Sequence, residues 1–204
     1  IQPLPAFALD GAVMVPMYRA MVLTRLFDAK VVALQRTGQL GTFASSLGAE
    51  AIGVGLASAM RPEDVLLPSY RDHAAQLLRG VSMSEVLLYW GGDERGSDFA
   101  VARHDFPNAI PIASQLCHAA GVAYACKLRG EPRVAVCMVG DGATSKGDFY
   151  EGMNLAGVWP APLVIVLSTN QGASSMPRGA QTAARTPAPN AQPARPAGPR
   201  GDGH

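Results

Sequence analysis

Two short apolar runs in the second half of the chain have the pattern of buried parallel strands. Residues 134–139 and 163–167 consist of Val, Ile, Leu, Ala, Met and Cys, and glycine or a polar residue follows each run. Between the runs, residues 145–159 place Phe149 and Met153 at helical spacing. The pattern predicts a strand, a helix and a second parallel strand, which is typical of an α/β fold.

The first half of the chain is predicted to be mostly helical, with one short buried strand at residues 65–67. Helical patterns cover residues 49–60, 72–79, 83–90 and, further on, 114–128. An earlier helix is expected to end at Gly38. Its predicted buried face consists of Tyr18, Met21, Val22, Leu26, Ala29 and Ala33. Residues 91–108 are polar and contain glycine, so we expect a surface loop there.

The composition is that of a globular domain with a near-neutral charge. The chain has 204 residues, 48% of them hydrophobic, and a formal net charge of +1, so we expect a sizeable core and no nucleic acid or membrane partner. No apolar stretch reaches the roughly 18 residues of a membrane span, and no basic stretch followed by an apolar one opens the sequence. We therefore expect a cytoplasmic location. The three cysteines are expected to be small buried side chains rather than disulfides or zinc ligands.

Asp141 and Asn170 each lie just past the end of a predicted strand. Because the carboxyl ends of parallel strands meet at one edge of a sheet, we expect these side chains to lie close together. A carboxylate, an amide oxygen and a backbone carbonyl near Gly172 would suit Mg²⁺ bound to phosphate oxygens. Gly142 leaves room for a diphosphate, and the amides of Gly142 and Ala143 are expected to open a helix whose N-terminus favours an anion. The alternative is that Asp-Gly is only a turn.

Four further motifs accompany this pair. They are GTFASSLGAEA at 41–51, YRDH at 70–73, IPIASQ at 110–115 and MPRGAQTA at 176–183. Together the motifs resemble the alpha subunit of the thiamine-diphosphate-dependent first component of 2-oxo acid dehydrogenase complexes, closest to the bacterial pyruvate dehydrogenase type. The resemblance runs from about residue 18 to residue 184. It implies the thiamine-diphosphate-binding fold, an α/β fold with a mostly parallel sheet and helices on both faces, incomplete at the C-terminus.

The resemblance also implies a site for thiamine diphosphate and Mg²⁺. The metal would be held by Asp141, Asn170 and the carbonyl of Gly172. The cofactor contacts would come from Phe43, Tyr70, Arg71, Ile110, Ile112, Asp141, Gly142, Ala143 and Asn170. A guanidinium suits phosphate oxygens, although a solvated surface charge is the alternative for Arg71.

The implied reaction is the oxidative decarboxylation of a 2-oxo acid, with transfer of the acyl unit to a lipoyl group. The implied partners are a beta subunit in an alpha2beta2 assembly, the lipoyl domain of the acyltransferase component and the 2-oxo acid. In this family the beta subunit supplies the glutamate that activates the cofactor, so this chain would provide the diphosphate and magnesium half of the site. The sequence does not distinguish pyruvate, which would link glycolysis to acetyl-CoA, from branched-chain 2-oxo acids or acetoin.

No residue of this chain is assigned a catalytic role. Of the four histidines, His73 has a family counterpart, and the sequence leaves open whether it lies near the cofactor. His118 sits in an apolar helical pattern and is expected to be a buried core histidine. Neither is expected to be a general base.

The chain departs from the family at several positions. Ala49 stands where the family usually has Gln, Thr169 where it has a second Asn, and Gly172 where it has a large aromatic residue. The small residue at 172 predicts a looser metal loop. From about residue 185 the sequence becomes rich in Pro, Ala and Arg, so we assign residues 1–184 to a partial cofactor-binding domain and residues 185–204 to a disordered tail. A shifted reading frame and a natural flexible tail both explain this composition.

Two other functions stay open. A dinucleotide-binding oxidoreductase would carry G-x-G-x-x-G after a strand, but Ser145 stands where the third glycine would be. The other alternative is a catalytically inert truncated fragment or a module for subunit association.

Overall fold

The computed structural model describes residues 5–173 and 176–181, and these form two compact units. The first, here called the helical unit, comprises residues 5–60 and 71–103. The second, the sheet unit, comprises the described residues among 61–70 and 104–181. The predicted tail at residues 185–204 lies outside the described residues.

The helical unit contains α1 (Gly11–Arg36), α2 (Glu50–Ala59), α3 (His73–Leu78) and α4 (Met83–Trp90). The 3-10 helices Ala6–Leu9 and Glu94–Ser97 flank them. Their ends follow from local sequence. Asp10 accepts a hydrogen bond from the Ala12 amide at 2.8 Å, and Ser82 and Glu85 form a reciprocal capping box at α4. Gly38, with φ of 71°, follows α1 as predicted.

The buried face of α1 differs from the predicted one. Thr24, Phe27, Asp28 and Val31 are buried, whereas the predicted face includes residues that are largely exposed, namely Tyr18 at 66% and Leu26 at 63%. The expectation was wrong because it ranked positions by apolarity alone. Two polar side chains lie on the buried face instead, and their groups are hydrogen-bonded: Thr24 Oγ1 donates to the Ala20 carbonyl at 2.9 Å.

A glycine sets the approach of α2 to α3. A Cβ atom on Gly53 would lie 2.8 Å from both Ala74 Cβ and the Ala75 amide nitrogen. Ala74 and Ala75 are themselves buried. The Ala- and Gly-rich composition of α2 therefore permits close packing of the two helices.

The segment after α4 is irregular and mostly exposed, as predicted for residues 91–108, but part of it is packed more closely than a surface loop suggests. Phe99 and Ala102 are buried, and a Cβ atom on Gly96 would lie 2.2 Å from the Tyr89 amide nitrogen. Glu85 Oε1 also accepts a hydrogen bond from the Ala100 amide at 2.7 Å. The segment therefore packs back onto α4, which its polar composition concealed.

The sheet unit is built on three parallel strands in the order β1 (Val65–Leu67), β2 (Ala135–Gly140) and β3 (Leu163–Ser168). All three were predicted within one or two residues. β2 is buried along its length apart from Gly140. β3 was also predicted to be buried, and that expectation was wrong: Val164 is 46% exposed and the other β3 residues are half-buried, because β3 lies at an edge of the described sheet. Together with the helices, this parallel sheet confirms the α/β class.

Two helices, α5 (Ser114–Arg129) and α6 (Gly147–Val158), complete the sheet unit's core. Leu116, Ala119 and Ala123 of α5 and Phe149 and Met153 of α6 are buried in one cluster with side chains of β1 and β2. A Cβ atom on Gly152 would lie 2.8 Å from Leu116 Cγ, so this glycine lets α6 approach α5. No described helix is both long and apolar enough for a membrane span.

The described residues after β3 include two short strands and a short helix. β4 (Gly172–Ala173) and β5 (Met176–Pro177) pair antiparallel, and α7 (Arg178–Gln181) follows.

The segment at residues 105–109 runs beside β1. The Asp105 carboxylate accepts a hydrogen bond from the Leu66 amide at 2.8 Å, and the Phe106 and Ala109 amides donate to the Leu66 and Pro68 carbonyls.

Candidate functional site

The ends of β2 and β3 lie side by side, as the sequence predicted. Gly140 pairs with Ser168, so Asp141 follows one strand directly and Asn170 follows the other by two residues. Both residues belong to the sheet unit. The parallel register therefore brings a carboxylate and a side-chain amide to the same edge of the sheet.

The carboxylate of Asp141 is buried, with 5% of the residue exposed. Thr169 Oγ1 donates a hydrogen bond to Asp141 Oδ2 at 2.9 Å, and the Gly142 amide donates to Oδ1 at 3.1 Å. Both donors are neutral. They orient the carboxylate but do not neutralise its charge. This arrangement suits a carboxylate that binds a cation.

Thr169 was not predicted to be part of the site. It stands where the related family has Asn, and its hydroxyl supports the Asp141 carboxylate by donating a hydrogen bond to it. The same hydroxyl accepts a hydrogen bond from the Gln171 amide at 3.2 Å. Since Asp141 and Thr169 follow neighbouring strands, a short polar residue at 169 is the signal that could have indicated this contact.

Gly142 and Ala143 do not lie at the start of an α-helix. Residues Asp141–Ser145 form a 3-10 helix, and α6 begins only at Gly147. The two amides therefore lie in the first turn of a 3-10 helix, and not at the start of the helix predicted over residues 145–159. The Ala143 methyl group is buried in the core, which leaves its backbone as the group for a ligand. A Cβ atom on Gly142 would lie 3.3 Å from Ala173 Cβ, so a larger residue would push against β4.

Asn170 and Gly172 form a tight turn at the strand end. Asn170 Oδ1 accepts a hydrogen bond from the Gly172 amide at 3.1 Å, and the intervening Gln171 has φ of 63°. Asn170 is exposed. The oxygen donors of Asp141, Asn170 and the backbone are hard ligands that fit Mg²⁺ chemically.

Gln181 is a second residue that the sequence did not single out. Its Nε2 donates to the Asp141 carbonyl at 3.0 Å and to Ser145 Oγ at 2.9 Å. α7 therefore holds both ends of the 3-10 helix that carries Gly142 and Ala143. Thr144 Oγ1 donates to the same Asp141 carbonyl at 2.8 Å.

Tyr70, Ile110 and Ile112 lie at the end of β1. A parallel bridge joins Ser69 to Ala109, so Tyr70 and Ile110 are the residues that follow each partner. Ile110 is 48% exposed and Ile112 is 39% exposed. The β1 end of the sheet unit therefore carries two exposed isoleucines and a half-buried tyrosine.

Arg71 and Phe43 belong to the helical unit. Arg71 is exposed, and its Nη1 donates to the Ser45 carbonyl at 2.7 Å. Phe43 stacks on His73 with the ring centroids 5.1 Å apart. The backbone of Ser45 therefore holds Arg71, and the ring of His73 supports Phe43.

His73 is a buried, neutral residue. It is 0% exposed, and Trp90 Nε1 donates to His73 Nε2 at 3.0 Å, which places the ring proton on Nδ1. Burial lowers the pKa of His73 to about 4; the Arg71 charge also lowers it and Asp28 opposes the shift. Within the described part of the chain, Nδ1 has no hydrogen-bond partner. A base with this pKa is uncharged at neutral pH.

The prediction for His118 is wrong, whereas the cysteines are buried or half-buried, close to what was expected. His118 is exposed beside Phe106, so the prediction of a buried core histidine is wrong; α5 turns this position to solvent. Cys126 and Cys137 are buried and Cys117 is half-buried. Among the described residues no disulfide joins them, and no cluster of His, Cys, Asp and Glu side chains forms a metal site.

Comparison with known proteins gives consistent results. The model of a family described as the dehydrogenase E1 component matches residues 18–201. The chain is 40% identical over 158 residues to the pyruvate dehydrogenase E1 component subunit alpha of Mycoplasma genitalium, covering 78% of this chain and 44% of the relative. It is 39% identical over 173 residues to the pyruvate dehydrogenase E1 component subunit alpha of Staphylococcus aureus. That match covers 85% of this chain and 47% of the relative. It is 43% identical over 161 residues to the pyruvate dehydrogenase E1 component subunit alpha of Acholeplasma laidlawii, and this match covers 79% of this chain and 47% of the relative.

The chain thus spans about half the length of the curated relatives that it matches. The family model nevertheless covers most of this chain, and it includes both the Asp141 and the Asn170 strand ends. The resemblance drawn from the motifs is confirmed: the chain belongs to the dehydrogenase E1 component family.

Proposed function

We propose that this chain provides the magnesium and diphosphate half of a thiamine diphosphate site, in the alpha subunit of a pyruvate dehydrogenase first component. The observation that carries the proposal is the buried Asp141 carboxylate. Its two hydrogen-bond donors are neutral, and it lies at the strand edge that also presents Asn170. A charge kept from water in this way is stabilised by a bound cation.

Asp141 and Asn170, with the carbonyl of Gly172, would hold Mg²⁺. Gly142 and the backbone of Ala143 would face the diphosphate, and the small side chains in this segment leave the backbone accessible. Arg71 would contribute a planar set of donors to phosphate oxygens. Tyr70, Ile110, Ile112 and Phe43 would contact the organic part of the cofactor, since apolar and aromatic groups suit its rings.

When bound, thiamine diphosphate supplies the carbon nucleophile and the electron sink for decarboxylation of a 2-oxo acid. This chain's residues bind and orient it. His73 would not act as a base there, because Trp90 occupies its acceptor nitrogen and burial lowers its pKa to about 4. Instead, its ring supports Phe43 by stacking.

The proposed reaction is oxidative decarboxylation of pyruvate with transfer of the acyl unit to a lipoyl group on the acyltransferase component. The proposed partner is a beta subunit, in keeping with the subunit names of the relatives. Subunit association as a function in its own right is favoured by α1, where Val15, Tyr18, Val22 and Leu26 are exposed along one side. A cytoplasmic site of action is part of the proposal.

A cofactor titration tests the proposal. Calorimetry on the purified chain should give thiamine diphosphate binding that depends on Mg²⁺ and disappears in excess chelator. Thiamine without its diphosphate should bind far more weakly, because the proposed contacts of this chain are to the metal and the phosphates. Binding of NAD⁺ in place of thiamine diphosphate would instead support a dinucleotide-dependent oxidoreductase, and binding of neither would support the inert-fragment alternative.

A further inference from the structure

Asp28 is a buried acidic residue outside the predicted site. It lies on α1, is 4% exposed and accepts three hydrogen bonds from two consecutive serines. Ser45 Oγ donates to Asp28 Oδ2 at 2.7 Å, and the Ser46 amide and Oγ donate to Oδ1 at 2.7 and 3.2 Å. One carboxylate therefore fixes both the backbone and the side chains of the Ser45–Ser46 dipeptide.

The same dipeptide carries the contact to Arg71. The Ser45 carbonyl accepts a hydrogen bond of 2.7 Å from Arg71 Nη1. Ser45 thus touches Asp28 through its hydroxyl and Arg71 through its backbone oxygen. All of these residues lie in the helical unit. Two hydrogen bonds, joined through Ser45, therefore link the buried Asp28 carboxyl group to the exposed Arg71 guanidinium.

The rest of this segment is fixed independently of Asp28. The Gly48 amide donates to Glu50 Oε2 at 2.9 Å, and the same oxygen accepts from Arg25 Nη2 at 3.0 Å. Phe43 is held by its stacking on His73. Loss of the Asp28 contacts would therefore release mainly the Ser45–Ser46 dipeptide, while both flanks stay in place.

We propose that Asp28 is a positioning residue for Arg71, holding the Ser45 carbonyl where it fixes the plane of the guanidinium. A guanidinium is rigid and planar, so a hydrogen bond at one nitrogen restricts the directions in which its other donors can point. This inference rests on the proposed function, in which Arg71 binds the cofactor diphosphate. Preorganised donors bind an anion more tightly because less side-chain freedom is lost on binding.

The direct test is a cofactor-independent measurement on Arg71. In ¹H–¹⁵N spectra, the guanidinium signals of Arg71 are assigned by their loss in R71K. Slow rotation of a held guanidinium should give resolved Nη signals in the wild type, and these should average out in D28N. T24V is the matched control, because Thr24 is equally buried one turn earlier on α1 and its hydroxyl bonds only within the helix. Unchanged Arg71 signals in D28N would overturn the proposal.

A double-mutant cycle on thiamine diphosphate affinity, in the presence of Mg²⁺, gives the second readout. D28N should weaken binding by about threefold to tenfold in the wild-type background and have almost no effect in the R71A background, because residues that act through one another are not additive. Equal losses in both backgrounds would show that Asp28 acts elsewhere and would overturn the positioning role alone. An R71A affinity equal to that of the wild type would instead refute the diphosphate contact, and with it the proposed function of Arg71.

Discussion

Thr169 Oγ1 donates a hydrogen bond of 2.9 Å to Asp141 Oδ2, and this bond joins the residues that follow two neighbouring parallel strands. The contact explains how a chain with Thr at this position can still orient its proposed metal ligand. The carboxylate is held from both sides, since the Gly142 amide donates to the other oxygen. Orientation of the ligand by groups behind it is a general feature of metal sites.

We predict that T169V weakens Mg²⁺-dependent thiamine diphosphate binding by about tenfold, the range expected when a supporting residue behind a metal ligand is lost. T144V is the control, because Thr144 also donates to Asp141 but to its carbonyl, which keeps a second donor in Gln181. Calorimetry should show a much smaller change for T144V. Equal losses in the two variants would mean that Thr169 does not act through the carboxylate.

Asn170 is predicted to matter less than Asp141, because it is a neutral ligand on an exposed turn. N170A should weaken binding by about fivefold to tenfold, since Mg²⁺ can replace one neutral protein oxygen by water. N154A, at an exposed position on α6, should leave the affinity unchanged. An N170A variant that binds as tightly as the wild type would remove Asn170 from the ligand set.

Close packing of α2 on α3 gives a stability prediction with an internal control. G53A should lower the free energy of unfolding by about 1–2 kcal/mol, because the new methyl group would lie 2.8 Å from Ala74 Cβ and the Ala75 amide. G55A, two residues later on the same helix, should raise it by about 0.5–1 kcal/mol, since nothing lies within 4 Å and alanine favours the helix. Chemical denaturation of both variants measures the difference, and a destabilised G55A together with a neutral G53A would contradict it.

The buried His73 predicts a loss of stability in mild acid. Its pKa is about 4 in the folded protein and about 6.5 when unfolded, so only the unfolded state gains a proton between these values. Stability from this group should be unchanged above about pH 6.5 and should fall by up to roughly 3 kcal/mol as the pH drops to 4.

The measurement for His73 is the unfolding free energy of the wild type and of H73Q at pH 7 and at pH 4.5. H73Q removes the titrating group, and the shared acidic and basic residues cancel in the difference between the two proteins. The wild type should lose more stability than H73Q over this interval. An equal loss in both would show that His73 is not held neutral by the fold.

The sequence predicted those parts of the fold where one physical signal dominates. β2 and β3 are continuous runs of apolar residues, and such runs favour parallel strands, which both form. The predicted burial holds for β2 but not for β3, whose residues are half-buried or exposed. Asp141 and Asn170 could be placed at one sheet edge because strand ends in a parallel unit meet there.

Features that depend on distant partners were missed. In the sequence, nothing distinguishes Asp28 of α1 from an exposed acidic residue. Its burial is explained by hydrogen bonds from Ser45 and Ser46, which lie 17 and 18 residues later. Gln181 reaches back 40 residues to the Asp141 carbonyl. Local periodicity contains no information on such contacts, because the energy of burying a polar group depends on the partner that the fold brings to it.

The central claim is that Asp141 is the anionic ligand of a metal-bound diphosphate, and one calorimetric comparison tests it. Thiamine diphosphate is titrated with Mg²⁺ into the wild type, D141A and D148A, after thermal unfolding has shown that each is folded. Asp148 is the matched acid, because it lies on α6 in an exposed ion pair with Lys146. D141A should lose more than about 100-fold in affinity, beyond the range for a supporting residue, and D148A should match the wild type. An affinity for D141A within twofold of the wild type would contradict the metal assignment.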